Sequence, residues 1–224
     1  MSLLLYIKKL INQLSKVHVL KTIYYNFRLF PINIAVKFPL IIGLHTTLKH
    51  FTRKSIIYPK NIRTASILLG IKLVEFPTNH TIIDNDGIIK INGTVRIGSG
   101  TYLLIGSKGF LEVGDNFEIK ANGKIIAVNQ ISIGDNCLVS WDVSIMDTDW
   151  HKIRNKHGVI LNPNKPIILN DHIWIGMGTT ILKGTTIESD NIIAANSTIV
   201  GNHYCKNSIL SSNKTLRTEI NWVK

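Results

Sequence analysis

The stretch LNDHIWIGMGTTILKGTTIESDNIIAANSTIV, residues 169–200, decides the fold. An aliphatic residue returns at every sixth position, at Leu169, Ile175, Ile181, Ile187, Ile193 and Ile199, and Cys205 continues the register. Neither an α-helix, with a period near 3.6, nor a simple alternating strand produces that spacing. A short strand that ends in a turn every six residues does.

The same beat extends upstream with resets: Ile56, Ile62, Leu68, Val74; Ile91, Ile97, Leu103; Val113, Ile119, Ile125, Ile131; then Ile133, Val139, Ile145. Gly follows the inward residue at Ile97, Val113, Ile133 and Ile175, and Asp-Asn stands after it at Asp115-Asn116 and Asp135-Asn136. Gly, Asn and Asp take turn conformations that β-branched residues avoid. The pattern predicts an all-β parallel β-helix of hexapeptides, three to a triangular coil of about 18 residues. With coils stacked at about 4.8 Å, roughly seven of them make a prism on the order of 35 Å long. Cys137 and Cys205 both read as small apolar residues facing its core.

The segment IWIGMGTTILKGTTI (173–187), with DNIIAANS (190–197), resembles the hexapeptide-repeat acyltransferases, and within them the branch that O-acetylates sugars and capsular polysaccharides. The likeness is strongest over 131–200. It closes on RTEINW (217–222), which is similar to the end of sialic-acid capsule acetyltransferases. It implies left-handed winding, against the usual right-handed crossover, together with acetyl-CoA as co-substrate, no metal, and a homotrimer with its sites at subunit boundaries. The domain layout that follows is a basic extension over 1–52, helical in its first part, and a β-helix over 53–224.

One insertion, at about 146–168, breaks the repeat: MDTDWHKIRNKHGVILNPNKP (146–166) is polar and proline-marked and must loop out of the coil. DTDWH (147–151) is similar to the family segment that ends in the catalytic histidine, which makes His151 the general base by resemblance. A sugar hydroxyl needs such a base to attack a thioester, and a carboxylate on the other ring nitrogen would fix the tautomer. Asp147 and Asp149 both qualify. His157 and His172 complete no recognisable zinc set with His151, since a catalytic zinc needs three converging ligands.

Trp174, which stands before Ile175-Gly176 as is common in the family, offers either a flat wall for a sugar face or a cover for a coil corner. Gly176, Met177, Ala194 and Ala195 are the small or slender residues expected along the coenzyme. Lys214 and Arg217 are candidates for its phosphates. Val200-Gly201 and SSNKTLR (211–217) depart from the family's coenzyme motifs.

Composition locates the charge. The chain of 224 residues has 26 Lys and Arg against 14 Asp and Glu, a net +12. Residues 1–72 hold twelve of the basic residues and no acidic one, so the remainder is neutral. Leu3, Leu4, Ile7, Leu10, Ile11, Leu14 and Val17 trace one helical face beside Lys8, Lys9 and Lys16. That composition suits an anionic membrane surface or a packing surface between subunits, and its many aliphatics argue against nucleic acid. No run reaches the length of a membrane span, and no signal peptide is evident. The expected location is the cytoplasm, with peripheral contact at the inner face of the membrane.

Three functions fit these residues. The first is O-acetylation of a sugar hydroxyl in a surface polysaccharide or its lipid-linked precursor. The second is acetylation of a small free acceptor such as a sugar or serine, and the third a non-catalytic, membrane-attached scaffold.

Overall fold

The computed structural model describes residues 16–72, 78–203, 205–212 and 214–223. The aliphatic stripe from Leu3 to Leu14 and the predicted inward residue Val74 lie outside them. The chain winds as a left-handed parallel β-helix. Its described strands form three sheets, one of nine strands and two of seven. Sheet 1 includes β1 (Leu40–Ile42), β4 (Ile67–Ile71), β7 (Val95–Gly98), β13 (Leu138–Val139), β16 (Trp174–Ile175) and β19 (Ile192–Ile193). Sheet 2 includes β2 (Thr46–Lys49), β5 (Thr81–Asn85), β14 (Ser144–Met146) and β17 (Thr180–Leu182), and β15 (Ile167–Leu169) belongs to sheet 3.

Parallel pairing sets like residue over like. Ile175 stands opposite Ile193 and Ile181 opposite Ile199, each eighteen residues on. Ile145, Ile181, Ile187, Ile193 and Ile199 are wholly enclosed. Asn116, Asn122, Asn136, Asp142, Asp190 and Asn196 hold the left-handed turn positions, with φ between 54° and 64°. At the corner joining sheets 3 and 1 the Asp side chains form a ladder. Thr94 N–H donates to Asp115, Asp115 N–H to Asp135 and Asp135 N–H to Asp171, at 2.6, 2.6 and 2.8 Å. The bond from Thr94 is the main reason the Asp115 carboxyl lies below its ordinary pKa.

The N-terminal coils are wider than the hexapeptide rule allows. Ile42 faces Leu69 and Leu69 faces Ile97, separations of twenty-seven and twenty-eight residues. The first coil therefore begins at Leu40, ahead of the expected boundary at 53, because residues in long coils do not keep a period of six. In β4 it is Ile67 and Leu69 that point inward, and Leu68 that points out. At the other end Cys205 is exposed, contrary to its predicted inward place. In its column Ile187 faces His203, sixteen residues on, so Cys205 falls past the inward position, while in the next column Ile193 faces Leu210, seventeen residues on, which is buried. Cys137 is buried as expected.

Both ends of the prism are closed. Helix α1 (Val19–Leu29) lies against β1. Asn26 Nδ2 donates to Leu40 O at 2.7 Å, Asn26 Oδ1 accepts from Leu40 N–H at 3.2 Å, and Thr22 Oγ1 accepts from Ile42 N–H at 3.1 Å. Those bonds occupy edge groups that would otherwise template another strand, while Leu29 and Phe30 plug the core. At the far end β22 (Ile209–Ser211) takes β23 (Lys214–Arg217) as an antiparallel edge.

Ile181 sits in the middle of this inward column. Ile181→Ala should cost about 2–5 kcal/mol of unfolding free energy, read as a lower urea midpoint at unchanged slope.

Candidate functional site

The insertion leaves the prism after β14 and returns at β15, so it emerges at the corner between sheets 2 and 3. Its root is Asp147, fully buried. The two carboxylate oxygens accept from Val128 and Asn129 N–H, at 2.9 and 2.8 Å. Burial nonetheless raises its pKa, outweighing the backbone bonds that lower it. Asp147 thus ties the loop to the preceding coil and is not directed at the histidine.

Asp149 is also engaged elsewhere. Lys183 Nζ and Asn162 Nδ2 both donate to Asp149 Oδ2, at 2.6 and 2.8 Å, and Lys183 is the larger cause of its lowered pKa. Asn162 Nδ2 also donates to His151 O at 2.8 Å, and His151 N–H to Asp149 O at 2.6 Å. Trp150, at φ 60°, occupies a region costly for an aromatic residue, and its N–H donates to Thr148 Oγ1 at 3.1 Å. The backbone at His151 is pinned from both sides, and its side chain is exposed. No hydrogen bond from a described residue reaches the imidazole, so neither Asp147 nor Asp149 orients it within one chain. Lys183 and Asn162, which hold the loop, were not singled out by sequence reasoning. Only the fold brings Lys183 beside Asp149.

A second feature lies at the corner between sheets 1 and 2. Trp174, Gly176, Met177, Ala194 and Ala195 line one groove together with Ser140 and Trp141. Trp174 Nε1 donates to Ser140 Oγ at 3.1 Å, which sets the indole against the prism wall. Trp141 was missed, although it precedes the turn residue Asp142 just as Met177 precedes Gly178 and Ala195 precedes Asn196. Gly176 has a different reason to be small than ligand approach: a Cβ there would stand 2.6 Å from Ala195 N and 2.8 Å from Ile193 O. Stacking of the next coil requires it. Lys214 and Arg217 lie on the last strand of the same sheet and are exposed.

The closing segment folds back beside this groove. Trp222 stacks on His172 with ring centroids 4.3 Å apart, donates its Nε1–H to His172 O at 3.0 Å, and lies 6.0 Å from the Trp174 ring. His172 Nδ1 meets Asp190 Oδ1 at 2.9 Å, and His157 sits at the hairpin tip of the insertion. His151, His157 and His172 therefore do not converge. Among the described residues, the grouping able to hold a cation is His50, Asp84 and Asp86. There Nδ1 of His50 meets Asp84 at 2.6 Å, and that bond raises its pKa.

His151 and the Trp174 groove thus occupy different corners of the section, and no described hydrogen bond joins the insertion to the groove. The insertion carries Trp150, Ile153, Val159 and Leu161, all more than half exposed.

No protein-family model matches the chain. A polysialic acid O-acetyltransferase of Neisseria meningitidis is 29% identical, over 55% of this chain and 65% of that protein. A galactoside O-acetyltransferase of Escherichia coli is 31% identical, over 40% and 44%. The crystal structure of the polySia-specific acetyltransferase NeuO superposes with a TM-score of 0.56 at 21% identity, covering 64% of this chain and 62% of that one. The chain thus spans somewhat less than two thirds of the length of the meningococcal enzyme it matches.

Asp147→Asn isolates the root of the insertion. The substitution replaces one acceptor by a donor facing a backbone N–H, at a cost of about 1–3 kcal/mol. Because the folded carboxyl holds its proton more tightly than the unfolded one, its contribution to stability is greatest at low pH and is lost as pH rises through the carboxylate range. Urea midpoints across that range should show a lower value for the variant, with this component of the pH slope removed.

The coils and left-handed winding match the fold of the hexapeptide-repeat acetyltransferases, and in sequence the chain is similar to polysaccharide and sugar O-acetyltransferases.

Proposed function

We propose that the protein is an acetyl-CoA-dependent O-acetyltransferase that acts on a sugar hydroxyl of a cell-surface polysaccharide or its lipid-linked precursor. It works as a homotrimer, with His151 as general base. The observation that carries this reading is the exposed imidazole of His151 on a loop whose backbone is fixed by Asn162 and Asp149. A base held in place and open to a substrate is what direct transfer to a hydroxyl requires. His151 Nε2 or Nδ1 takes the hydroxyl proton as the oxygen bonds to the thioester carbonyl carbon. The carbon–sulfur bond then breaks, and the proton passes from the imidazolium to the departing thiolate.

The groove of Trp141, Trp174, Met177, Ala194 and Ala195 suits the pantetheine arm of the donor, an extended chain of amides and methylenes that needs apolar walls without bulk. Lys214 and Arg217 would meet its phosphates. Trp174 walls the end of that groove, where a sugar face can lie on the indole.

The separation of loop and groove supports the trimer. One chain holds both halves at different corners, and the exposed Trp150, Ile153, Val159 and Leu161 give the insertion an apolar surface to lay on a neighbouring copy. The alternative scaffold role leaves the exposed imidazole and the indole-walled groove without a purpose.

The composition of the N-terminal third supports a position at the inner face of the membrane. Among the described residues no helix is long and apolar enough to cross a membrane. The outer face of α1 leaves Leu20, Ile23, Tyr24 and Phe27 exposed, in a third of the chain that carries twelve basic residues and no acidic one. That combination suits an anionic leaflet.

His151→Ala should lower kcat by on the order of 10² to 10⁴ and leave acetyl-CoA affinity near that of the parent. Mixing His151→Ala with Trp174→Ala subunits should restore part of the activity, since one copy supplies each half. Equal loss of donor binding, or a monomer by light scattering, overturns the assignment.

Replacing Leu20 and Ile23 by Glu should release the protein from phosphatidylglycerol vesicles at low salt in a sedimentation assay. Retention of both variants at the parent level would assign that face to subunit packing.

A further inference from the structure

The corner joining sheets 3 and 1 departs from its own pattern at one place. Parallel register aligns Glu118, Leu138, Trp174, Ile192 and Ile209 across sheet 1. The residues two positions earlier, Asn116, Asn136, His172, Asp190 and Asn207, therefore stand one above another at the corner. All five hold φ between 51° and 64°. Asn and Asp, whose short polar side chains bond locally, suit that left-handed region best. The turn itself has no need of an imidazole.

What the imidazole does is hold a second residue. Its Nδ1 meets Asp190 Oδ1 on the next coil at 2.9 Å, and its face carries the Trp222 indole, with centroids 4.3 Å and planes 10° apart. Trp222 Nε1–H donates to His172 O at 3.0 Å. The closing segment runs down this corner to reach it, with Ile220 N–H donating to Asn207 O at 2.9 Å, two coils beyond His172. Trp222 is buried there, while Val223 beside it is almost wholly exposed.

Trp222 in turn abuts Trp174. The two rings lie 6.0 Å apart at 45°, within the range in which aromatic pairs attract. Toward the other corner, Trp174 Nε1–H donates to Ser140 Oγ at 3.1 Å. Ser140 follows β13 and His172 precedes β16, so the exposed indole is held from both margins of sheet 1.

We propose that His172 and Trp222 are positioning residues that together clasp the Trp174 indole in the orientation it presents to an acceptor sugar. The inference rests on the sugar-acceptor reading above and adds to it that the closing segment sets the acceptor wall. Loss of either residue removes the aromatic neighbour and leaves the indole to turn on the Ser140 bond. The sugar is then held less often in the reactive pose.

The test is a double-mutant cycle on the full chain. Thiol release from acetyl-CoA is followed with methyl β-D-galactoside as the probe acceptor, and donor binding is measured separately by calorimetry. Trp222→Leu and His172→Asn should each lower kcat/KM for the sugar by about tenfold and leave acetyl-CoA affinity near that of the parent. In a Trp174→Phe background the same substitutions should cost almost nothing more, because residues that act through one partner do not add to its loss. Trp222→Phe, which keeps a ring between His172 and Trp174, should recover most of the activity, and Val223→Ala should change nothing. Asn suits the turn at φ 56°, so His172→Asn keeps the corner, and thermal melting reports whether each variant folds. A readout free of transfer runs beside the kinetics. In the chain labelled with fluorotryptophan, the fluorine resonance of Trp174, assigned through Trp174→Phe, should broaden in Trp222→Leu and His172→Asn and stay sharp in Val223→Ala.

The proposal falls if neither single substitution slows transfer, if the losses add in the Trp174→Phe background, or if acetyl-CoA affinity drops in step with activity. It also falls if the Trp174 resonance keeps its width in both variants. A parent that acetylates no sugar, with that resonance still broadened by both substitutions, would count against the transfer reaction and leave the clasp standing.

Discussion

Everything in this molecule depends on the pairing of one coil with the next. Each coil's strands find backbone partners only on the coils above and below, and the fit closes only when inward side chains stack in register. Ile175 over Ile193 and Ile181 over Ile199 are that register in its strict form. Apolar burial supplies the driving force and the backbone ladder supplies direction. The turn residues make the geometry possible at the corners from sheet 3 to sheet 1 and from sheet 1 to sheet 2, where Asn, Asp or Gly commonly holds a position at positive φ, as Asn116, Asp142 and Gly178 do. At Gly176 the same constraint appears as a contact distance, because a Cβ would run into the next coil.

A stack of coils has two open ends, and the chain closes them differently. At the N-terminal end α1 covers β1 with Asn26 and Thr22, polar residues on the buried face of the helix, because the surface beneath it is a row of unpaired backbone groups. Of its apolar residues, Leu29 enters the core while Leu20, Ile23, Tyr24 and Phe27 face outward. At the C-terminal end an antiparallel strand covers the nine-stranded sheet, and the tail returns to lay Trp222 on His172. Each cover does local work as well. The first exposes a basic and apolar face, and the second completes the surroundings of Trp174.

Rigidity of the scaffold is what gives the insertion its meaning. A loop leaving a prism corner would sample many conformations if its root were free. Asp147 ties the root to the coil before it, and Lys183 ties Asp149 to a coil after it. Both carboxylates that seemed able to serve the histidine are therefore spent on holding the loop. What this leaves at His151 is a backbone held from both sides and an exposed imidazole.

The sequence alone determined the repeat, because inward residues of eighteen-residue coils must be aliphatic and their corners must tolerate positive φ, and both demands are local. The groove residues Trp174, Gly176, Met177, Ala194 and Ala195 were legible for the same reason, since equal positions in successive coils lie one above another. The wide N-terminal coils were not legible. Leu68 turned out and Cys205 is exposed because a coil of any other length breaks the count by six. Tertiary structure alone decided the roles of Asp147 and Asp149, since hydrogen-bond partners eighteen and thirty-four residues away choose where a carboxylate points. It also decided that His151 and the groove stand at different corners, a consequence of which turn of the prism the insertion interrupts.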